Sequence, residues 1–400
     1  MSRILLVWEL GGGFGHIGGF IPLAEELKRR GHEPILVLRN LVPVETLAAG
    51  ADIPLLQAPL WQGAGRQTAP KSYAEILSCF GFFDVKGLTS MVNAWRNLFS
   101  LTAPDLILFD HAPTALLASR GLPAPRALYG TGFFSPPRVT PFPPMRWWRQ
   151  HSRQHLVEIE SKVLATANTV LRRYDLPPMK QLTNVFDVEE DFLCTLREFD
   201  HYPKRGGNPQ YWGPRNRIGA GREPVWPAGT GRKVFAYLYT KFKDLEKLLQ
   251  TFSTLPARFL VYAPGISQQQ VERYQAAHVA FSPDPINFEK IGGQCDAGIC
   301  HANHGTVSAL LLAGIPLLLL PSQLEQYILA LNVQNLGAGL VVNPEDKNSD
   351  YALPLQRLLA EPVFGKNAQS FAAKYAGENQ QERVNKIATR CEETIARFNS

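Results

Sequence analysis

No Asp-x-Asp pair occurs in the 400 residues, so the chain lacks that particular carboxylate spacing for a divalent cation. Its cysteines (Cys79, Cys194, Cys295, Cys300 and Cys391) are odd in number and scattered, with no Cys-x-x-Cys. That argues for reduced thiols and against a disulfide framework, and Cys300-His301 lacks the paired spacing of tetrahedral zinc. No metal site is expected. The apolar run Ala309–Pro321 is too short to cross a bilayer and is broken by Gly314 and Pro316. The opening MSRILLVWEL passes straight into a strand pattern, without the apolar core and small-residue cleavage site of a signal peptide, and a cytoplasmic chain is the expectation. Internal repeats and low-complexity tracts are missing as well.

Strong charge of either sign is also absent: 41 Lys and Arg against 35 Asp and Glu leave a net charge of +6. This mild excess suits phosphate-bearing ligands or an anionic membrane surface. Part of it is local, because Arg138, Arg146, Arg149 and Arg153 cluster around Trp147 and Trp148. The stretch 138–153 reads either as a solvated helix face or as peripheral contact with membrane headgroups. No nucleic-acid partner is expected, since no recognition motif accompanies these cations.

What is present is an alternation of apolar strands and amphipathic helices in an ordinary globular composition, 45% hydrophobic and 19% charged. Ile4–Trp8 is a strand run, Gly11–Gly19 a loop, Phe20–Arg30 a helix with Pro22 near its first turn, and Pro34–Leu38 the next strand. That β-α-β unit predicts a parallel sheet, with Asp105–Asp110 and Arg126–Tyr129 as later strands. Lys204–Thr230, rich in Gly, Pro and Arg, reads as connecting chain. A second alternation follows, with strands at Lys233–Tyr239, Arg258–Tyr262, His278–Phe281, Ala297–Cys300, Pro316–Leu320 and Gly339–Val342. Helices are expected at Phe242–Phe252 and Val307–Ala313, and the tail Asn367–Phe398 is charged and helical. The fold class is therefore α/β, two consecutive doubly wound domains: 1–215, a linker at 216–231, 232–370, and a final helix within 371–400. Ligands of such domains bind at the carboxyl ends of the strands, and the cleft between domains is the default site.

Three constellations carry chemistry. Gly13-x-Gly15-x-x-Gly18 follows the first strand and matches a dinucleotide fingerprint in form. The acid expected after the next strand is replaced by Arg39-Asn40, and an NADP reductase remains only as a rival reading. His16 stands at the mouth of that β-α turn, where an imidazole of ordinary pKa can act as a general base near neutral pH. Asp110 closes the strand Leu106–Phe109 and is positioned either to accept the proton on the far ring nitrogen of His16 or to cap the helix that Pro113 starts. His111 carries no assigned role, and His32 in Arg30-Gly31-His32 reads as structural. The third constellation is His301-Ala-Asn-His304-Gly305-Thr306, then Gly314-Ile-Pro316, Pro321 and Glu325-Gln326. It places a small-residue loop at a helix start, where backbone amides can hold a diphosphate.

This last pattern resembles the nucleotide-sugar signature of family 1 glycosyltransferases. Gly15-His16, Arg30-Gly31-His32, Pro104-Asp105-Leu106 through Asp110 and Tyr211-Trp-Gly-Pro214 fall in the order seen in the bacterial macrolide and UDP-glucuronosyl type. The resemblance implies a GT-B fold, two facing Rossmann-like domains with a C-terminal helix crossing back to the first. It implies His16 as base and Asp110 as its partner. His301, Gly305 and Thr306 are implied at the diphosphate, Thr240 near it, and Glu325 and Gln326 at sugar hydroxyls. The implied donor is a dTDP- or UDP-sugar, with no other cofactor expected, and the lack of Asp-x-Asp agrees with a metal-independent reaction.

The aromatic set of the first half, with Phe82, Phe133 and Phe134 as candidates, suits a lipophilic or planar small-molecule acceptor. Several positions depart from the family pattern. Ala302 and Asn303 replace two glycines, Ala309 stands where many members carry a ribose-binding glutamate, and Glu325 replaces an aspartate. The expected activity is inverting sugar transfer. The rivals are a non-catalytic sugar-nucleotide-binding partner protein of the same fold and a transferase acting on a lipid acceptor at the membrane surface.

Overall fold

The structure, a computed structural model, describes residues 1–12, 15–42, 52–63, 69–215, 221–343, 345–346 and 349–400. It divides into two compact units, Met1–Arg215 with Gln380–Ser400, and Asn216–Asn379. Gly13 of the glycine fingerprint and residues 216–220 of the expected linker lie outside the described residues.

In the first unit the strands are β1 (Arg3–Trp8), β2 (Glu33–Leu38), β3 (Leu55–Gln57), β4 (Leu106–Asp110), β5 (Arg126–Gly130) and β6 (Glu190–Leu193). They form one sheet in the order β3-β2-β1-β4-β5-β6, and every pairing is parallel. The second unit holds β7 (Arg232–Tyr237), β8 (Ala257–Tyr262), β9 (Val279–Ser282), β10 (Ala297–Cys300), β11 (Leu317–Leu319) and β12 (Gly339–Val341). Their order, β12-β11-β10-β7-β8-β9, is again parallel throughout. Read from its own first strand, each sheet runs 3-2-1-4-5-6, the doubly wound order. The order reverses between β1 and β4 in one unit and between β7 and β10 in the other. Ligands of such sheets bind at that reversal, outside the carboxyl ends of the strands.

The middles of the central strands are apolar on both faces, as Ile4, Leu5, Leu6 and Val7 show by being fully buried, so no polar alternation is needed. One face of the first sheet packs Ile4, Leu6 and Trp8 with Ile17, Phe20, Ile21, Leu23, Ala24 and Leu27 of the helix Gly15–Arg29. The same cluster takes in Val384, Ile387, Ala388, Cys391 and Ile395 from the final helix Gln380–Asn399. Arg30 fixes this docking through Glu392 (2.8 Å) and the Asn385 carbonyl (2.9 Å), and His32 meets Glu392 at 3.0 Å, a structural contact.

Four sequence expectations need correction. The loop expected over Gly11–Gly19 ends early, because the helix begins at Gly15, and Pro22 lies inside it rather than in its first turn. Burial of the apolar face outweighs the propensity cost of Gly15, Gly18 and Gly19. Gly19 is closely packed, since a Cβ there would stand 3.1 Å from the Arg215 side chain and press on it. Part of the connecting chain Lys204–Thr230 is built into the first unit: Trp212 donates to the Leu193 carbonyl (2.9 Å) and packs on the core beside Phe192. The tail is two helices, Pro362–Lys374 and Gln380–Asn399, interrupted near Gly377 at φ 94°.

The fourth correction concerns 138–153, which is irregular up to the helix Arg153–Leu171 and so presents no helix face. Arg138 turns onto the Phe186 ring and Asp191, and Phe142 and Met145 are buried, whereas Trp147 is 41% exposed. Among the described residues no helix is long and apolar enough to cross a membrane.

Candidate active site

In the first unit, β1 and β4 pair in register as far as Trp8 and Asp110, so the residues that follow both strands emerge together at the reversal point. His16, in the first turn of the helix after β1, reaches across to β4. Its Nδ1 lies 2.8 Å from Asp110 Oδ2. Asp110 is completely buried, and the same oxygen accepts a 2.8 Å hydrogen bond from Arg215. Burial alone would raise this carboxyl, but Arg215 first and His16 second more than offset it and hold its pKa down at about 2. An ionised partner at Nδ1 fixes the His16 tautomer, leaving Nε2 as the basic nitrogen. The ring is held between Trp8, stacked at 4.8 Å, and Phe134 at 5.3 Å.

Asp110 caps no helix. The helix Pro113–Ala118 is capped by Glu9, whose Oε2 accepts from the amides of Thr114 (3.0 Å) and Ala115 (3.2 Å). Burial pushes the Glu9 carboxyl up to about 7 despite those bonds. Glu9, Trp8 and Arg215 are the neighbours that sequence reading missed, and His111 is one it named without a role. Arg215 had one signal, its place directly after Tyr211-Trp-Gly-Pro214, a stretch that threads back into the first unit. Of the expected acceptor aromatics, Phe134 touches both His16 and His111, and Phe133 touches His111 and Phe134. Phe82 is buried just beyond the helix Tyr73–Cys79, and the ring contacts around His16 come from Trp8 and Phe134 instead.

In the second unit, β7 and β10 pair as far as Tyr237 and Cys300. The chain leaves β10 through His301, turns at Ala302 with φ 57°, and starts the helix His304–Leu312 after Asn303. Ala302 thus keeps a left-handed backbone of the kind glycine normally supplies. The first-turn amides, including those of Gly305 and Thr306, have no partner inside the helix and carry the positive end of its dipole.

His301 differs from expectation. Its Nδ1 engages the Leu320 carbonyl at 2.9 Å and its Nε2 accepts the Tyr239 amide at 2.9 Å, so both ring nitrogens are committed to backbone. Burial drives its pKa to about 4, and the ring is neutral, stacked on Tyr239 at 4.4 Å. Gln326 is committed as well: its carbonyl accepts from the Ser322 amide (2.8 Å) and its amide donates to Asn303 Oδ1 (2.9 Å). Both residues tie the loop after β11 to the loop after β10. Glu325 is half-buried in the first turn of the helix Leu324–Asn335, and Thr240 follows β7 beside Pro264. A cavity of about 280 Å³ lies at these strand ends, lined by Lys241, Phe242, Lys243, Ser322, Asn343 and Tyr351 among others.

No family model matches the chain. A PGL/p-HBAD biosynthesis rhamnosyltransferase of Mycobacterium bovis (strain BCG / Pasteur 1173P2) is 24% identical over 281 residues, 66% of this chain and 62% of that protein. The match therefore spans less than two thirds of the relative's length. Among solved structures, the spinosyn rhamnosyltransferase SpnG, complexed with spinosyn aglycone, aligns with a TM-score of 0.69 at 18% identity, covering 97% of this chain and 100% of that one. The glycosyltransferase VinC, in complex with dTDP, aligns with a TM-score of 0.65 at 16% identity, covering 98% and 99%. The chain has the fold of these enzymes, GT-B, with its two six-stranded parallel sheets and surrounding helices.

Proposed function

We propose that the protein is a cytoplasmic, inverting, metal-independent glycosyltransferase. It moves a sugar from a dTDP- or UDP-linked donor to a hydroxyl or other nucleophile of a lipophilic or aromatic small molecule. The reading is carried by the buried His16–Asp110 pair at the reversal point of the first sheet, 2.8 Å apart with the basic nitrogen left over. Three likenesses support it: the curated relative is a rhamnosyltransferase, one solved neighbour is complexed with an aglycone and another with dTDP.

In this reading His16 Nε2 takes the acceptor proton as the acceptor attacks the anomeric carbon. The bond from that carbon to the diphosphate breaks, and its electron pair leaves with the nucleoside diphosphate. One displacement without a protein nucleophile inverts the anomeric centre. The amides of Gly305 and Thr306 and the helix dipole behind them take up the leaving charge, which removes the need for a cation. Glu325 is assigned to sugar hydroxyls and Thr240 to the phosphate side. His301 and Gln326 are reassigned from direct ligands to supports of the two loops, because their polar atoms already serve the backbone and Asn303.

Ala309, on the helix that starts at the diphosphate, favours dTDP, since deoxyribose loses less than ribose when a hydroxyl partner is missing. The test is transfer from dTDP- and UDP-sugars to phenolic and macrocyclic acceptors with the product anomer read by NMR, repeated in excess EDTA. Inverted product formed in EDTA is the expected result. Strict dependence on magnesium or manganese would overturn the leaving-group assignment. Donor binding without transfer or hydrolysis would favour a non-catalytic partner protein.

A further inference from the structure

His111 follows Asp110 directly and is left over by the chemistry above. It is buried, and neither ring nitrogen has a hydrogen-bond partner among the described residues. Its backbone sits at φ 45°, a conformation that residues with a side chain rarely adopt, while its carbonyl is tied to the Leu10 amide at 2.9 Å. The ring is stacked on Phe134 at 4.2 Å, with Tyr73 at 6.2 Å and Phe133 at 6.3 Å. A strained backbone and a tightly packed polar ring without partners mark a group held for something outside the protein.

What it is held for follows from Gly11. A Cβ on that glycine would stand 2.9 Å from His16 Nε2 and 3.5 Å from His111 Nδ1, with the next heavy atom, His16 Cε1, at 3.6 Å. A nitrogen of each imidazole is thus the ring atom nearest the Gly11 Cβ position, and a side chain at residue 11 would crowd both rings. We infer that His111 is a second substrate-contacting residue, whose Nδ1–H holds the acceptor oxygen from which His16 takes the proton, so that the acceptor group is a hydroxyl rather than an amine. The inference rests on His16 being the base.

The proton balance selects the roles. His16 Nδ1 faces the Asp110 carboxylate and carries a hydrogen, so Nε2 receives the acceptor's proton. The oxygen has only that one hydrogen to give, so a second ring nitrogen beside it must donate to it. One lone pair of the oxygen then takes the His111 N–H and another forms the bond to the sugar. The bond from the sugar to the diphosphate breaks toward the nucleotide, and His111 transfers no proton. An amine has a single lone pair, needed for attack, and cannot satisfy His111 as well. Burial, then the nearby His16 and Arg39, pushes His111 down to about 3, so it stays neutral and does not oppose the positive charge that develops on His16.

The test compares wild type, His111→Phe, His111→Asn and His16→Ala, using one donor and two acceptors of the same frame, a phenol and the corresponding aniline. His111→Phe keeps the stacking but has no donor. It is expected to lose about 10²-fold in kcat with the phenol, the scale of one misplaced reacting group, while nucleotide affinity stays unchanged and the phenol-over-aniline preference collapses. Asparagine tolerates the left-handed backbone and puts an amide near the Nδ1 position, so His111→Asn should keep most of the preference. Where the Phe variant does not fold, His111→Ala takes its place against Asn. Phenol transfer within twofold of wild type in His111→Phe, with His16→Ala inactive, overturns the role of His111 alone. Near-normal transfer in His16→Ala overturns the base assignment on which it rests.

Discussion

Arg215 lies 2.8 Å from the Asp110 oxygen that also meets His16, so one buried carboxylate oxygen serves a guanidinium and an imidazole together. The guanidinium also donates to the Tyr129 carbonyl at 2.9 Å and lies over the Tyr129 ring at 4.8 Å. Removing it leaves Asp110 buried with one cation fewer. Arg215→Met should cost about 3–5 kcal/mol in urea unfolding, as expected for breaking a buried pair from one side. The double variant with Asp110→Asn should cost clearly less than the sum of the singles. Additive costs would mean that the two groups are not energetically paired.

His16→Ala should lower transfer by about 10²–10⁴-fold with nucleotide affinity nearly unchanged, the usual range for losing general-base help. Asp110→Asn should slow transfer in the native background and do little in the His16→Ala background, because residues acting as a unit are non-additive. Rates that simply multiply would separate Asp110 from the base.

Glu9 makes a prediction about pH. Its folded-state pKa of about 7 lies above the ordinary 4.5, so the folded state binds the extra proton between those values. The resulting stability is fully present below pH 4.5 and is lost as pH rises through 7, on the order of 3 kcal/mol in total. Glu9→Gln cannot ionise yet can still accept the Thr114 and Ala115 amides. It should therefore melt higher than wild type at pH 8 and not at pH 4.5. A constant difference in melting temperature across that range would remove Glu9 as the source.

Gln326→Leu should leave the Ser322 amide and Asn303 without their partner, at about 1–3 kcal/mol in stability. As a support rather than a sugar ligand, Gln326 should affect dTDP and a dTDP-sugar alike when its loop loosens. Calorimetric titration checks this, and weakening confined to the sugar-linked nucleotide would restore direct contact with the sugar.

The sequence was most legible where periodicity and chain order coincide. The runs at Ile4–Trp8, Pro34–Leu38 and Ala297–Cys300 are strands within a residue, because buried parallel strands are continuous apolar segments bounded by turns. β3 and β6, three and four residues long and partly exposed, carried too little pattern to find. His16 and Asp110 stood out because Asp110 closes a strand and His16 opens the helix after one, and strand ends are where such sheets bind ligands.

The amino-acid sequence by itself determined the two parallel α/β units, the candidates His16 after β1 and Asp110 at the end of β4, and a helix near Val307–Ala313, which the structure starts at His304. Each is written in local spacing: apolar runs, glycine turns and the residue next beyond a strand. Only the tertiary structure decided that Arg215 shares Asp110, that Glu9 rather than Asp110 caps Pro113–Ala118, that His301 and Gln326 brace the loops after β10 and β11, and that His111 and His16 both approach Gly11. Those outcomes depend on which donor and acceptor remain unsatisfied once residues a hundred positions apart are buried together, a quantity no local pattern contains.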